Sequence, residues 1–218
     1  MTSYKRFTLV PQTDMDLLKE MGLKPHHKVL DIGCGGGRLG NDLISYLDKS
    51  NYYGFDKEAH WIEKFRLDVT LNALSHKDPT IDMGDFTLNY KDVKFDFVYG
   101  YSVFSHVDIT VIKQFFNNFN DNIKNAKVVV TGYFNLPEGE TEQRGDRHVR
   151  SNEYVRVKYN PKYLDKCLNE IGYTVTSTNL NDVYDLTLNK IGPGTDEGTF
   201  ITGGNNDNQM VILIEAKK

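Results

Sequence analysis

A chain of 218 residues, 39% hydrophobic and 26% charged, is long enough for one buried core and gives no sign of a second, so a single domain over 1–218 is expected. A formal net charge of −4 argues against a basic field that would draw in nucleic acid, and no apolar run reaches membrane-spanning length or resembles the core of a signal peptide. Two cysteines, Cys34 and Cys167, are too few for a disulfide framework, so a reducing, cytoplasmic setting without a membrane partner is the expectation.

Along the chain, Thr13 followed by Asp16 reads as a capped helix start. Met15, Leu18 and Met21 recur at helical spacing until Gly22, which makes 1–27 an N-terminal cap helix segment. Residues 28–33 read as a strand, and Leu39, Leu43, Ile44 and Leu47 give the apolar face of the next helix. Asn51 to Asp56 is a second strand, followed by a charged helix carrying Trp61, Ile62 and Phe65. Thr80 to Phe86, Phe95 to Tyr101 and Ala126 to Phe134 make three more strands, most of them continuously apolar as doubly covered parallel strands are. Before the last of these, Val111, Ile112, Phe115, Phe116, Phe119 and Ile123 mark an amphipathic helix capped by Asp108.

Residues 138–160 break this rhythm with alternating acids and arginines and stand as an insertion or lid. Asn160-Pro161 then starts a helix that ends near Gly172, and Tyr173 to Leu180 and Met210 to Lys217 supply two closing strands around a loop at 181–209. Strand and helix in alternation imply an α/β fold, a mainly parallel three-layer sandwich with right-handed crossovers.

The most informative run is Val29-Leu30-Asp31-Ile32-Gly33-Cys34-Gly35-Gly36-Gly37-Arg38, a strand that meets an acid and turns through glycines into a helix. Asp31 precedes the first glycine and sets a carboxylate where a pyrophosphate site wants amide N–H groups, which favours a cationic ligand. Gly35 to Gly40 also spells the dinucleotide pattern G-x-G-x-x-G, but too late, because the turn has begun at Gly33.

The run resembles motif I of the class I S-adenosylmethionine-dependent methyltransferases, D/E-x-G-x-G-x-G, with Asp31, Gly33, Gly35 and Gly37 in place. The likeness covers roughly residues 13–180 and the last strand. It implies a Rossmann-like, seven-stranded, mainly parallel sheet whose last two strands form an antiparallel hairpin at one edge. It further implies S-adenosyl-L-methionine as cofactor and S-adenosyl-L-homocysteine as product. Asp31, Gly33, Cys34, Gly35, Gly37 and Arg38 would line the cofactor in the loop. Asp56, ending the second strand, would take both ribose hydroxyls, with Lys57 against one adenine face. In Gly84-Asp85-Phe86 the acid would receive the adenine amino group and Phe86 would cover the ring. Phe95 to His106 fits F-D-x-V-x-x-x-x-V-x-x-H, which sets Tyr101 at the methionine end and His106 as candidate base, with packing or capping as its other reading.

Tyr99-Gly100-Tyr101-Ser102 lacks the N/D-P-P-Y/F/W of amino-methylating enzymes and the P-C of cytosine-5 enzymes, and no acid cluster like that of catechol-type enzymes is evident, so no metal is expected. The expected acceptor is a small molecule. A noncatalytic nucleoside-binding protein of the same fold and, further off, an NAD-dependent oxidoreductase stay open, and the oligomeric state is not specified.

Overall fold

The computed structural model describes residues 14–134, 136, 137, 139–149, 152–177 and 210–217, with side chains left out over 142–156. Thr13, the loop 181–209 and the end of the strand expected to reach Leu180 lie outside the described residues.

Helix α1, Asp14–Glu20, buries Met15, Leu17 and Leu18 and ends in a Schellman turn. The Leu23 amide reaches Leu18 O and the Gly22 amide reaches Lys19 O, both at 2.9 Å, with Gly22 at φ 96°. Then follow β1 (Val29–Ile32), α2 (Gly40–Tyr46), β2 (Tyr52–Asp56), α3 (Ala59–Leu71), β3 (Thr80–Met83), β4 (Phe97–Gly100), α4 (Ile109–Ile123) and β5 (Lys127–Gly132). Asp108 caps α4, its carboxylate accepting from the amides of Thr110 and Val111 at 2.9 and 3.1 Å.

Seven strands form one sheet in the order β3-β2-β1-β4-β5-β9-β8, where β8 is Tyr173–Ser177 and β9 is Met210–Ala216. The first five are parallel, and β9 runs antiparallel to both β5 and β8. This is the expected mainly parallel sheet with an antiparallel closing pair. One face packs with α1, α2 and α3 through Leu18, Leu43 and Phe65, and the other with α4 and α5 (Pro161–Asn169) through Phe115, Phe119 and Leu164. The chain order reverses at the β1/β4 junction, and in open α/β sheets the crevice beyond the carboxyl ends there is where ligands bind.

The strand ends differ from the expectation. The third, fourth and fifth strands are shorter than the apolar runs, ending at Met83, Gly100 and Gly132: the Gly84 amide makes a last bond to β2 at Asp56 O, and Ser102, at φ 59°, turns the chain after β4. Trp61 is 40% exposed, while the buried face of α3 runs through Ile62, Phe65 and Val69. Residues 138–160 hold a regular element, a second two-stranded sheet in which β6 (Glu142–Val149) pairs antiparallel with β7 (Asn152–Tyr159). Among the described residues no helix is long and apolar enough to cross a membrane.

Candidate functional site

The glycine loop links β1 to α2, and its three spaced glycines do different work. Gly33, Gly35 and Gly37 all have positive φ, at 63°, 52° and 80°. A Cβ on Gly33 would lie 2.6 Å from the Val103 side chain, and one on Gly37 would lie 2.1 Å from the Phe65 ring, so both are held by packing. A Cβ on Gly35 would meet nothing within 4 Å. Its amide bonds Asp56 Oδ2 at 3.0 Å, and Asp56 Oδ1 accepts from the Glu58 amide at 2.9 Å. An acid at the end of β2 thus stands beside an open backbone cradle of the kind a nucleoside needs. Cys34 is buried within the loop, where desolvation pushes its thiol well up and keeps it protonated.

Asp31 lies inside β1, buried at the base of the glycine loop. It is 4% exposed, and the Tyr52 hydroxyl donates to its Oδ2 at 2.8 Å. Burial pushes its carboxyl up to about 7, against the opposing pull of the Tyr52 hydrogen bond and the Arg38 charge. Arg38 itself is half-exposed, bonds the buried Asp14 carboxylate of α1 at 2.7 Å, and stacks its guanidinium 3.8 Å from the Tyr101 ring centroid. Glycine loop, α1 and the end of β4 therefore meet at one guanidinium.

Beyond β3, Asp85 is exposed, and the Thr87 amide and hydroxyl donate to its Oδ1 at 2.8 and 2.6 Å, holding the carboxyl below its ordinary range. The expectation that Phe86 covers a ligand ring does not fit its placement. The ring is 8% exposed and packs on Phe55 and Phe115, with centroids 6.0 and 5.1 Å away, because the β3 loop turns this apolar residue toward α4. Lys57 points out, its side chain 78% exposed and its ammonium 3.8 Å from Glu58.

After β4 the backbone is knotted. Ser102, a non-glycine residue at φ 59°, donates its amide to the buried Thr131 Oγ1 of β5 at 2.8 Å, and its hydroxyl lies 2.7 Å from that of buried Ser105. His106 is exposed at the end of the 3₁₀ turn Phe104–His106 that follows. The base of the β6/β7 ribbon docks here. The Tyr159 amide reaches Tyr133 O at 2.8 Å, and the Tyr159 hydroxyl reaches Val107 O at 2.6 Å. Tyr52, Ser102, Thr131 and Tyr159 were not legible as site residues, since each works through one contact that no motif encodes. Among the described residues, no group of three or more His, Cys, Asp or Glu could hold a metal ion.

Residues 30–126 match a family model described as a methyltransferase domain. Sterol 24-C-methyltransferase erg6 of Aspergillus fumigatus is 33% identical over 91 residues, 41% of this chain and 24% of that protein. The sterol 24-C-methyltransferase of Candida albicans is 28% identical over 100 residues, 43% of this chain and 24% of that protein. The chain spans about a quarter of the length of these relatives. Of solved structures, the glycopeptide N-methyltransferase MtfA complexed with S-adenosyl-L-methionine superposes with a TM-score of 0.65 at 13% identity, covering 96% of each chain. Magnesium protoporphyrin IX methyltransferase from Synechocystis PCC 6803 gives 0.56 at 16% identity, covering 93% of this chain and 74% of that one. The family match runs from β1 through α4, the stretch that carries the glycine loop and the acids at or near the strand ends.

Proposed function

We propose that the protein moves a methyl group from S-adenosyl-L-methionine to a small-molecule acceptor and releases S-adenosyl-L-homocysteine. The observation that carries this reading is the open Gly35 cradle hydrogen-bonded to Asp56 at the carboxyl edge of the sheet. When bound, the cofactor supplies a methyl carbon on a sulfonium, open to in-line displacement. Asp56 then accepts the ribose hydroxyls, Asp85 the adenine amino group, and the Arg38–Tyr101 pair takes the methionine end. Phe86 contributes backbone rather than ring at the adenine side, and Lys57 contributes only its aliphatic stem. The acceptor is held beyond β4 and β5, between the Ser102 knot, His106 and the ribbon base at Tyr159, where alignment supplies much of the rate. His106 takes the acceptor proton where one must leave. The ribbon closes over the acceptor as a lid. The proposed setting is the cytoplasm.

Titration calorimetry with S-adenosyl-L-homocysteine and with NAD tests the reading. Binding of the first alone supports it, and binding of NAD alone returns the oxidoreductase. Incubation with labelled cofactor and cell extract, followed by mass analysis of the product, then separates methyl transfer from mere nucleoside binding.

A further inference from the structure

The Asp31 carboxyl is buried, and its partner Tyr52 comes from an unexpected place on the neighbouring strand. In the parallel register Tyr52 sits opposite Val29, while Asp31 sits opposite Gly54. The tyrosine ring crosses that gap because the intervening residue has no side chain: a Cβ on Gly54 would lie 2.5 Å from the Tyr52 hydroxyl, and one on Gly40 of α2 2.7 Å from it. Two glycines from different elements thus leave room for one hydroxyl, which ends 2.8 Å from Asp31 Oδ2. Phe65 of α3 seals the ring edge-on at 5.8 Å.

We propose that Tyr52 is a positioning residue of the cofactor site, its hydroxyl, seated where Gly54 and Gly40 leave room, fixing the buried Asp31 carboxyl for a ligand ammonium. The inference rests on the cofactor reading above and deepens it, naming what sets the charge of the acid that selects a cation. The groups facing Asp31 are Tyr52 from β2, Tyr99 opposite it on β4, the Cys34 thiol in the loop, Arg38 before α2, Asp14 from α1 and Asp56 at the end of β2. Burial favours the neutral acid, Asp14 and Asp56 add to that, and Tyr52 and Arg38 oppose it. Arg38 is half-exposed and shared with Asp14, so the Tyr52 hydroxyl is the buried donor that opposes the effect of burial. With the Asp31 carboxyl titrating near 7, a ligand that needs the carboxylate binds about tenfold more weakly at pH 6 than at pH 8.

Calorimetry with S-adenosyl-L-homocysteine from pH 5.5 to 9 reads this, alongside a site-resolved NMR titration of the Asp31 carboxyl in the unliganded protein, assigned by comparison with Asp31→Asn. The expected result is an affinity that rises through the carboxyl midpoint in the wild type. In Tyr52→Phe that midpoint moves to higher pH, with an affinity loss at neutral pH that recovers at pH 9. In Asp31→Asn the affinity is weak and flat with pH. A Tyr52→Phe protein whose midpoint does not move, or whose affinity loss persists unchanged at pH 9, overturns the proposal. Absence of binding at every pH overturns the methyltransferase reading instead, and the NMR midpoint alone then decides whether Tyr52 sets the charge of Asp31.

Discussion

The Arg38 guanidinium lies 3.8 Å from the Tyr101 ring centroid while one of its nitrogens bonds Asp14 at 2.7 Å, so one side chain ties the glycine loop both to α1 and to the end of β4. A lysine here keeps the charge but loses the flat face. Arg38→Lys is expected to preserve the melting temperature within a few degrees and to weaken S-adenosyl-L-homocysteine by about 0.5–2 kcal/mol, the range for stacking of a cation on an aromatic ring. Arg38→Ala also strips buried Asp14 of this ion pair and is expected to lower the melting temperature. Calorimetry and thermal unfolding of both variants check it. Equal affinity in wild type and lysine variant would remove the stack from the site.

Gly35 and Gly37 separate ligand from fold. Gly37→Ala drives a methyl into the Phe65 ring at 2.1 Å and is expected to cost several kcal/mol of stability, as overpacked cores do. Gly35→Ala enters open space and costs only the left-handed backbone penalty, about 1–2 kcal/mol, yet fills the cradle. Denaturant unfolding beside calorimetry should show a folded protein that no longer binds. A Gly35→Ala protein with unchanged affinity would move the nucleoside elsewhere.

The unliganded protein is expected to lose stability with rising pH because of Asp31. Its carboxyl is raised from 3.8 to about 7 by burial, so the folded state prefers the neutral acid. That preference is fully present below about pH 4 and is lost as pH rises through about 7. Asp31→Asn, neutral throughout, is expected to exceed the wild type in unfolding free energy at pH 8 by roughly 2–4 kcal/mol, the linkage limit for such a shift. At pH 4 the two should be nearly equal. A wild-type advantage at pH 8 would contradict a buried, raised Asp31.

His106 as base predicts a fall in turnover of about 10²–10⁴-fold in His106→Asn with little change in cofactor affinity, and a wild-type rate that rises with pH through the histidine range. The residue is exposed, so a purely packing role should not protect stability either. A variant with near wild-type turnover would leave alignment by Tyr99 and Tyr101 of the β4 end and Tyr133 after β5 as the better account.

The ribbon is anchored at its base by the Tyr159 hydroxyl on Val107 O, 2.6 Å apart. Hydrogen exchange over residues 142–159 is expected to slow when cofactor and acceptor are both present, and Tyr159→Phe should reduce that protection. Identical exchange with and without ligands would reject closure.

The parts of this molecule written in short-range code were readable. The Asp108 and Asn160 caps, the Gly22 turn and the phenylalanine face of α4 each follow from residues within a few positions of one another. The ribbon was missed as structure because acids and arginines in 142–149 mask any alternation, although Tyr154-Val155-Arg156-Val157-Lys158-Tyr159 carries strand propensity. In the site, Asp56 ends β2 as expected, while Asp85 falls two residues past β3 and Asp31 lies inside β1. Whether an acid faces solvent or the core was not legible: Asp31 is buried because Tyr52, some twenty residues away, crosses two glycines to meet it, and Phe86 turns inward because α4 offers it a phenylalanine cluster.

Of the three spaced glycines, Gly35 is the one whose side-chain position no neighbour contests. Drift among descendants of this chain that kept the domain for another purpose would therefore spare positions 33 and 37, which the architecture polices, and release position 35, where Asn or Asp tolerates the same backbone. A paralogue with glycine at the outer two places and a side chain at the middle one would be recognisable, before any assay, as a scaffold that has given up its cofactor.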